Sequence, residues 1–187
     1  MKYLILLGIL LFNACSSLQK LNEPVFLDKH SQFYLQAVPK GLWGQASLQK
    51  LLITTPQDKH ELLLQTELRP NQINMVGLSA AGLVLFKLTW SKEAGIKVNS
   101  NILAKGINAQ VMLAYYQLAN WPIKDIQLGL KDLHIALAPD DKQKRDFFRG
   151  SELIFSVVHT PQHSLMTHYI DHYQIEIATL QQSKIEY

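Results

Sequence analysis

The chain has one cysteine among its 187 residues, so an intrachain disulfide is excluded and stability must come from packing. It has no glycine-rich phosphate loop, and no apolar run reaches the roughly 20 residues that span a bilayer. Lys and Arg number 18 against 15 Asp and Glu, a balance that carries no electrostatic footprint for nucleic acid. These absences exclude a disulfide scaffold, a nucleotide-driven machine and a nucleic-acid-binding protein.

The single cysteine stands directly behind a short apolar segment at the start of the chain. Met1 and Lys2 precede the apolar run 3–12, which has the length of a signal-peptide h-region. The arrangement resembles a bacterial lipoprotein signal. The resemblance implies a signal peptide at 1–14, cleavage before Cys15, and acyl chains on Cys15 that attach the protein to a membrane. The alternative is a secretory peptide that is cleaved nearby and leaves a free thiol.

The residue after the cysteine bears on location. It is Ser16 and not the aspartate that retains lipoproteins in the inner membrane, so the resemblance implies the periplasmic face of a Gram-negative outer membrane. Three acyl chains on Cys15 exceed the two membrane signals that stable anchoring requires. Residues 15–40 predict a lipidated N-terminus and a tether, with a first short strand at 25–27 as the alternative. Residues 41–187 have the size of one domain.

Hydrophobic periodicity divides the body into strands, then helices, then strands again. Strands are predicted at 41–55, 59–68, 72–79, 83–91, 96–99, 151–160, 164–169 and 173–179. A helix is predicted from Ile107, with Asn108 as its N-cap and Pro122 at its end. A second short helix runs through Leu130, and the mixed charges of 140–146 predict a solvated loop. The predicted fold class is α+β and mainly β, a curved antiparallel sheet with helices inserted between strands five and six.

Many apolar residues fall on one inferred face of these strands. They are Leu62, Leu64, Val84, Phe86, Leu88, Trp90, Ile96, Val98, Ile175 and Ile177, and Met75 is a further candidate for a cavity wall. A curved sheet covered by helices can enclose roughly 300–1,000 Å³, enough for an acyl chain. The same residues can also interdigitate at ordinary interior density and leave no space. Trp121 is either the anchor of a lid or a packed structural tryptophan.

Two segments carry a resemblance to a known family. They are Gly77-Leu78-Ser79-Ala80-Ala81-Gly82-Leu83-Val84-Leu85-Phe86, between two apolar strands, and Leu118-Ala119-Asn120-Trp121-Pro122-Ile123, at the helix break. Behind the lipoprotein signal, this order resembles an uncharacterised family of proteobacterial lipoproteins that are often encoded beside aryl-polyene genes. Residues 40–180 are also similar, more distantly, to LolB, the outer-membrane receptor that takes lipoproteins from the periplasmic carrier LolA.

The resemblance to LolB implies an incomplete barrel over 41–187 with a helical lid and a hydrophobic cavity for acyl chains. It also implies a membrane, a lipid-like ligand and a LolA-like carrier as partners. LolB-like proteins insert cargo with an exposed apolar loop, and the matching turn, near 69–71 or 78–80, does not clearly predict an apolar tip. This departure favours a lipid-like or polyene-linked ligand over lipoprotein cargo. Transfer would be physical partition without a cofactor, each buried CH₂ contributing about 0.8 kcal/mol.

Catalytic and metal-binding patterns are weak. The segment 77–81 lacks the last glycine of a Gly-x-Ser-x-Gly elbow and lies between two strands, whereas the elbow joins a strand to a helix. His159, His163, His168 and His172 fall close together, and imidazole is a common metal ligand. The preferred interpretation is that these histidines occupy exposed positions on strands and turns, and the alternative is that they form a metal site. The sequence therefore predicts a protein that is not an enzyme; the rival hypothesis is an interaction lipoprotein with a solid core.

Overall fold

Antiparallel strands dominate the computed structural model, which describes residues 23–100, 107–138, 141–160 and 162–186. Along the chain the strands are β1 (Val25–Phe26), β2 (Gln32–Phe33), β3 (Gln45–Thr54), β4 (Lys59–Arg69), β5 (Gln72–Ser79), β6 (Val84–Ser91), β7 (Gly95–Ser100), β8 (Leu130–Lys131), β9 (His134–Ala138), β10 (Asp141–Arg149), β11 (Glu152–His159), β12 (His163–His168) and β13 (Tyr173–Lys184). The helices are α1 (Ala109–Asn120) and α2 (Ile123–Gln127), and a single 3₁₀ turn covers Lys40–Leu42.

Ten of the strands form one sheet in the order β7-β6-β5-β4-β3-β13-β12-β11-β10-β9. Strands β3 to β7 make one meander and β9 to β13 make a second. The two meanders join where β3 pairs with β13, from Gln45 opposite Lys184 to Thr54 opposite Gln174. Because β7 and β9 form the two edges, the sheet is not a closed barrel. The prediction of a mainly β fold with a large antiparallel sheet and few helices is confirmed.

A second, three-stranded sheet in the order β1-β2-β8 lies beside α1. We call residues 25–38 and 107–131 the cap, since together they form the layer around α1. Helix α1 begins as predicted, because Asn108 Oδ1 accepts hydrogen bonds from the amides of Gln110 (3.1 Å) and Val111 (3.2 Å). It ends before Pro122, where the chain turns into the shorter α2.

The position predicted for the helices is wrong, because they follow the seventh strand along the chain and not the fifth. The two additional strands, β1 and β2, lie in the segment predicted as a tether. The described part of that segment buries Val25, Leu27 and Phe33 in the core, so residues 25–33 belong to the folded body. The alternative of a first strand near 25–27 is confirmed. Cys15 and the predicted signal lie outside the described residues.

The loop predicted at 140–146 is also wrong, because Asp141–Arg149 is strand β10. Its charged residues from 144 to 146 have partners on both faces of the sheet. On one face, Lys144 Nζ lies 2.9 Å from Asp146 Oδ2, while on the other Arg145 bonds to the cap and Phe147 is fully buried. Paired charges at period two are compatible with a strand, and periodicity in hydrophobicity alone does not detect them.

Aromatic side chains stack across the second meander. Phe147, Phe155, His168 and Tyr173 occupy paired positions on β10, β11, β12 and β13. Successive ring centroids are 4.1, 6.0 and 4.9 Å apart, with nearly parallel planes. Such cross-strand pairs each contribute about 0.2–1 kcal/mol. The stack gives the half of the sheet beneath the cap a rigid, well-packed surface.

Gly77 permits a close aromatic contact in the first meander, and its replacement by alanine is expected to destabilise the fold by about 1–3 kcal/mol. A Cβ at Gly77 would stand 2.2 Å from Cε1 of Phe86, which is itself buried. At Gly41, by contrast, a Cβ meets nothing within 4 Å. Urea unfolding of Gly77→Ala and the control Gly41→Ala measures the difference. Equal stabilities would show that the Phe86 ring shifts freely, contrary to this account.

Candidate functional site

The cap is held together by hydrogen bonds between α1 and the N-terminal segment. Gln117 Nε2 donates to Gln36 O (3.0 Å), and its Oε1 accepts from the Gln36 amide (2.8 Å). The Tyr115 hydroxyl donates to Leu27 O at 3.2 Å, and Trp121 Nε1 donates to Ala37 O at 3.0 Å. These bonds join chain segments about 80 residues apart, so the two parts of the cap form one layer.

The second meander fastens the cap to the sheet. Arg145 Nη1, on β10, donates to the carbonyls of Leu118 (3.1 Å) and Trp121 (2.9 Å) at the C-terminal end of α1. His159 Nε2, on β11, contacts Ala119 O at 2.9 Å. Because burial lowers the pKa of His159, and nearby Arg145 lowers it further, the neutral ring is the favoured state. Cationic and imidazole donors thus satisfy three carbonyls that a helix end leaves free.

An ion pair fastens the N-terminal segment in the same way. Arg149 Nη1, also on β10, lies 3.3 Å from Asp28 Oδ1. Burial of Asp28 acts to raise its pKa, but bonds from the amides of His30 and Ser31 and the charge of Arg149 hold that pKa below its usual value. The carboxylate therefore stays charged. The cap is thus attached to β10 and β11 by these groups, and α1 is also joined to β13, where the Tyr173 hydroxyl donates to the Tyr115 hydroxyl.

Three spaces follow α1 from one end to the other, between the cap and the sheet. At its N-terminal end an open groove of about 550 Å³ is bordered by Phe86, Val98 and Ala109. Beneath the middle of α1 lies an apolar space of only about 20 Å³. Beyond it, a polar pocket of about 120 Å³ reaches the C-terminal end of the helix at Asn120. We call this row of three separate spaces along α1 the channel.

The narrow apolar space is closed by side chains from both layers. Its lining residues are Gln49, Leu51, Leu64, Met112, Tyr115, Tyr116, Met166, Ile175 and Ile177. A volume of about 20 Å³ holds one water molecule, whereas a ligand pocket measures roughly 300–1,000 Å³. An acyl chain therefore enters only if α1 moves away from the sheet or if the methionines change rotamer. Met side chains suit such adjustment because they are long, unbranched and polarizable.

The structure distributes the predicted cavity residues over several environments. Leu64, Ile175 and Ile177 line the narrow space, and Phe86 and Val98 border the open groove. The remaining predicted residues on the sheet fall into three groups. Leu62, Met75, Leu88 and Trp90 are packed in the core, Ile96 is half-buried against it, and Val84 is exposed. Trp121, also predicted, is fully buried at the end of α1.

Several residues that line the channel were not predicted from the sequence. Met112, Tyr115 and Tyr116 come from the buried side of α1, and Met166 comes from β12. Gln49 lies on β3 in phase with Leu51, and this period-two pattern was the available signal.

Comparison with known proteins places the chain in a family. A family model described as a protein of unknown function, DUF3261, matches residues 46–181. The chain belongs to the DUF3261 family. The match runs from β3 to β13, so it includes both meanders and the helices between them. Membership of an uncharacterised family is thereby confirmed, while a genomic neighbourhood with aryl-polyene genes stays a prediction.

A solved structure is also similar to this member of the DUF3261 family. A crystal structure of a putative outer membrane lipoprotein-sorting protein domain from Vibrio parahaemolyticus is similar to it, with a TM-score of 0.41 and 9% sequence identity. The similarity covers 78% of this chain and 86% of that one. A search of curated proteins gives no match. Among the described residues, no helix has the length and apolarity needed to cross a membrane.

The turn between β5 and β6 exposes more apolar side chains than the sequence predicted. Leu83 is 57% exposed and Val84 is 40% exposed, beside the exposed Ala80 and Ala81. A register shift after Gly77 moves Val84 off the inner face on which strict alternation places it. Ser79 Oγ accepts a hydrogen bond from the Leu83 amide (3.1 Å) and so supports the turn. In this DUF3261 chain the turn presents the apolar tip that the sequence did not clearly predict.

The four histidines occupy different environments. His159 caps α1, His168 is buried in the aromatic stack, and His163 and His172 are exposed. Within the described parts of the chain, no group of three or more His, Cys, Asp or Glu side chains is arranged to hold a metal ion. The exposed-position interpretation is therefore wrong for His168, whose ring packs between Phe155 and Tyr173.

Acidification is expected to destabilise the fold through His168. Burial lowers the pKa of this histidine below 6.5, although Asp171 opposes the shift. The folded state therefore binds fewer protons than the unfolded state, so stability is complete above about pH 6.5 and is lost as the pH falls through the folded pKa. His168→Phe keeps an aromatic ring in the stack and removes the titration. Urea unfolding at pH 7 and pH 5 should show a smaller loss for this variant.

An equal loss of stability in the native chain and in His168→Phe would contradict that role. The pH dependence of stability that remains in His168→Phe is assigned to His159, because the pKa of His159 is also lowered in the folded state. His163→Phe is the matched control, because His163 is exposed on the same strand. This control is expected to retain the pH dependence of the native chain.

Proposed function

We propose that this protein is an outer-membrane lipoprotein that holds or transfers an apolar ligand between α1 and the large sheet. The signal at 1–14 and the acylated Cys15 would attach it to the periplasmic face, and the open sheet would serve as a LolB-like incomplete barrel. The observation that carries the proposal is the alignment of three spaces along one helix. No catalytic step is part of this function.

Separation of α1 from the sheet would admit a ligand to the narrow space. The cap is fastened along β10 and β11 by Arg145, His159 and Arg149. Most of the sheet residues that line the narrow space and the polar pocket come instead from β3, β4 and β13. Movement about the fastened side would join the three spaces without breaking those bonds. The apolar walls then gain about 0.8 kcal/mol for each ligand CH₂ that leaves water, which offsets the cost of opening.

Transfer to or from a membrane would use the turn between β5 and β6. Leu83 and Val84 are exposed there, and apolar tips of this kind favour the boundary between headgroups and acyl chains. A LolA-like periplasmic carrier is the proposed donor, and a lipid, a lipoprotein acyl chain or a polyene-type lipid is the proposed ligand. Partition between cavities of similar polarity needs no nucleotide.

Native mass spectrometry of the full chain with Cys15→Ala tests the proposal. Protein incubated with oleate is expected to carry one acyl chain, and a fluorescent fatty acid is expected to be displaced by it. Met112→Trp fills the narrow space beneath α1 and should abolish binding. Leu128→Trp is the matched control, since Leu128 is 79% exposed. A clean apo mass together with no displacement in the native chain would overturn the carrier function.

The second candidate is an interaction lipoprotein that docks in a cell-envelope complex. The observation that favours it is the small volume beneath the middle of α1, about 20 Å³. In that case Met112, Met166 and Leu64 are ordinary core residues, and the open groove is a surface depression. Failure of every acyl probe to bind the native chain, with the fold intact, supports this candidate over the carrier.

A further inference from the structure

The pocket at the C-terminal end of α1 is polar, although it opens beneath a helix that otherwise covers apolar side chains. It measures about 120 Å³ and lies between α1, β3 and β13. Its polar lining includes Gln45, Ser47, Gln49, Asn120, Thr179 and Gln182. A volume of this size accommodates a group of several heavy atoms, since one water needs only about 10–15 Å³ on the same measure.

Buried polar atoms in this pocket have spare hydrogen-bonding capacity. Ser47 Oγ is buried and takes part in no hydrogen bond of regular geometry, although the Tyr116 hydroxyl lies within its reach. Gln49 is 8% exposed, and its Nε2 reaches Thr179 Oγ1 only at 3.4 Å, near the limit for a hydrogen bond. A carboxamide offers two donors and two acceptor positions. Buried polar groups are normally satisfied, so these atoms point to a polar occupant.

Tyr116 adds a third group at the same place. Its hydroxyl faces those of Ser47 and Thr66, yet neither Ser47 Oγ nor Thr66 Oγ1 takes part in a hydrogen bond of regular geometry. Burial raises the pKa of Tyr116, although those two hydroxyls oppose the shift, so the phenol stays neutral and able to donate. The hydroxyls of Ser47 and Tyr116 and the carboxamide of Gln49 thus line the same pocket, and Thr66 lies behind Tyr116 outside that lining.

The lining of the pocket carries no charged side chain. A buried phosphate or carboxylate needs a cation beside it, because desolvation of an unpaired charge is costly. A neutral hydroxyl or amide needs only the donors and acceptors that the pocket supplies. The composition of the lining therefore selects against an anionic head group.

The polar pocket adjoins the apolar space through shared walls. Gln49 and Tyr116 line both. We propose that the polar pocket binds the uncharged, hydroxyl- or amide-bearing head of a single-chain amphiphile whose tail lies under α1. This inference rests on the proposed carrier function and adds the class of head group that the site selects.

Four probes with one oleoyl tail test the head group: 1-oleoylglycerol, oleoylethanolamide, oleate and oleoyl lysophosphatidate. Affinities are measured by displacement of a fluorescent fatty acid from the full chain with Cys15→Ala. The glycerol and ethanolamide heads are expected to bind at least tenfold more tightly than the carboxylate and the phosphate. Both neutral heads carry a hydroxyl, and oleoylethanolamide adds an amide, so the comparison of the two tests whether the amide contributes to affinity.

Gln49→Leu is expected to remove this selectivity, because leucine has a similar volume and no polar atoms. Its affinity for 1-oleoylglycerol should fall about tenfold relative to its affinity for oleate. Gln65→Leu, exposed on β4, is the matched control and should leave both affinities as they are. Asn120→Ala, at the exposed rim of the pocket, should lower affinity for the neutral probes in the same direction without risk to the core.

The outcomes separate the head-group subsite from the carrier function. Equal affinity for all four heads, tighter binding of the anionic heads, or unchanged selectivity in both Gln49→Leu and Asn120→Ala overturns the subsite and leaves the carrier function standing. If none of the four probes binds the native chain, both proposals are overturned.

Discussion

Trp121→Ala is expected to lower the free energy of unfolding by about 3–5 kcal/mol, the range for truncation of a large buried aromatic residue. The indole has no solvent exposure. It packs edge-on against Tyr116, with ring centroids 5.8 Å apart, and its Nε1 donates to Ala37 O. The substitution leaves a cavity at the end of α1 and a carbonyl without its donor. Urea unfolding followed by circular dichroism measures the loss.

Trp43→Ala is the matched control for Trp121→Ala. The Trp43 indole also donates to a carbonyl of the N-terminal segment, that of Val38, at 2.9 Å, but its side chain is only half-buried. A smaller loss of stability is expected there. If Trp121→Ala lowers the free energy of unfolding by less than about 1 kcal/mol, or by no more than Trp43→Ala does, then Trp121 does not anchor the cap.

Arg145→Met is expected to destabilise the protein by about 2–4 kcal/mol and to loosen the end of α1. Two hydrogen bonds from the guanidinium to Leu118 O and Trp121 O are lost, and bonds to charged groups contribute about 1.5–3 kcal/mol each. The last turn of α1 has no basic residue of its own. Methionine preserves the length of the side chain, so the change isolates the polar contacts. Urea unfolding measures stability, and hydrogen exchange measures local opening.

Faster amide exchange should therefore be confined to the end of α1 in Arg145→Met. The pKa of His159 should also rise, because burial and the charge of Arg145 both lower it in the native protein and only burial remains. Lys50→Met is the control, since the ion pair of Lys50 with Glu61 is exposed and such pairs contribute about 0–1 kcal/mol. Uniform exchange along α1, or an unchanged pKa of His159, would contradict a fastening role.

Local sequence signals predicted the elements whose causes are local. The N-cap at Asn108 and the stop at Pro122 define α1 closely, because both act within a few residues of the chain. The predicted strands overlap β3 to β7 and β11 to β13 for the same reason, since a half-buried strand shows its alternation directly. The large antiparallel sheet followed from those strands.

Long-range contacts account for the elements that the sequence did not reveal. Strand β10 carries charged residues that only the fold pairs, Arg145 with carbonyls of α1 and Arg149 with Asp28. Strands β1 and β2 are two residues long, and each buries one side chain in the core, Val25 and Phe33. Neither the long-range partners of these charges nor the burial of these short strands can be recognised in a short stretch of the sequence.

The candidate site could be predicted only in part, because some of its residues come together through long-range contacts. The apolar face correctly included Leu64, Ile175 and Ile177, which line the narrow space. The bulge after Gly77 displaced Val84 from that face, and a one-residue shift of this kind has no signal in hydrophobic alternation. Gln49 was visible as a polar residue in phase with Leu51, but only the position of α1 shows that both lie beneath the cap.

Photo-cross-linking with a diazirine-bearing fatty acid tests most directly whether a ligand lies between α1 and the sheet. The label is applied to the full chain with Cys15→Ala, and the modified peptides are mapped by mass spectrometry. Labels are expected on peptides that contain Met112, Tyr116 and Leu51, and excess unlabelled oleate should remove them. Labelling confined to exposed residues such as Leu165 and Leu180, or labelling that oleate does not displace, would contradict the account.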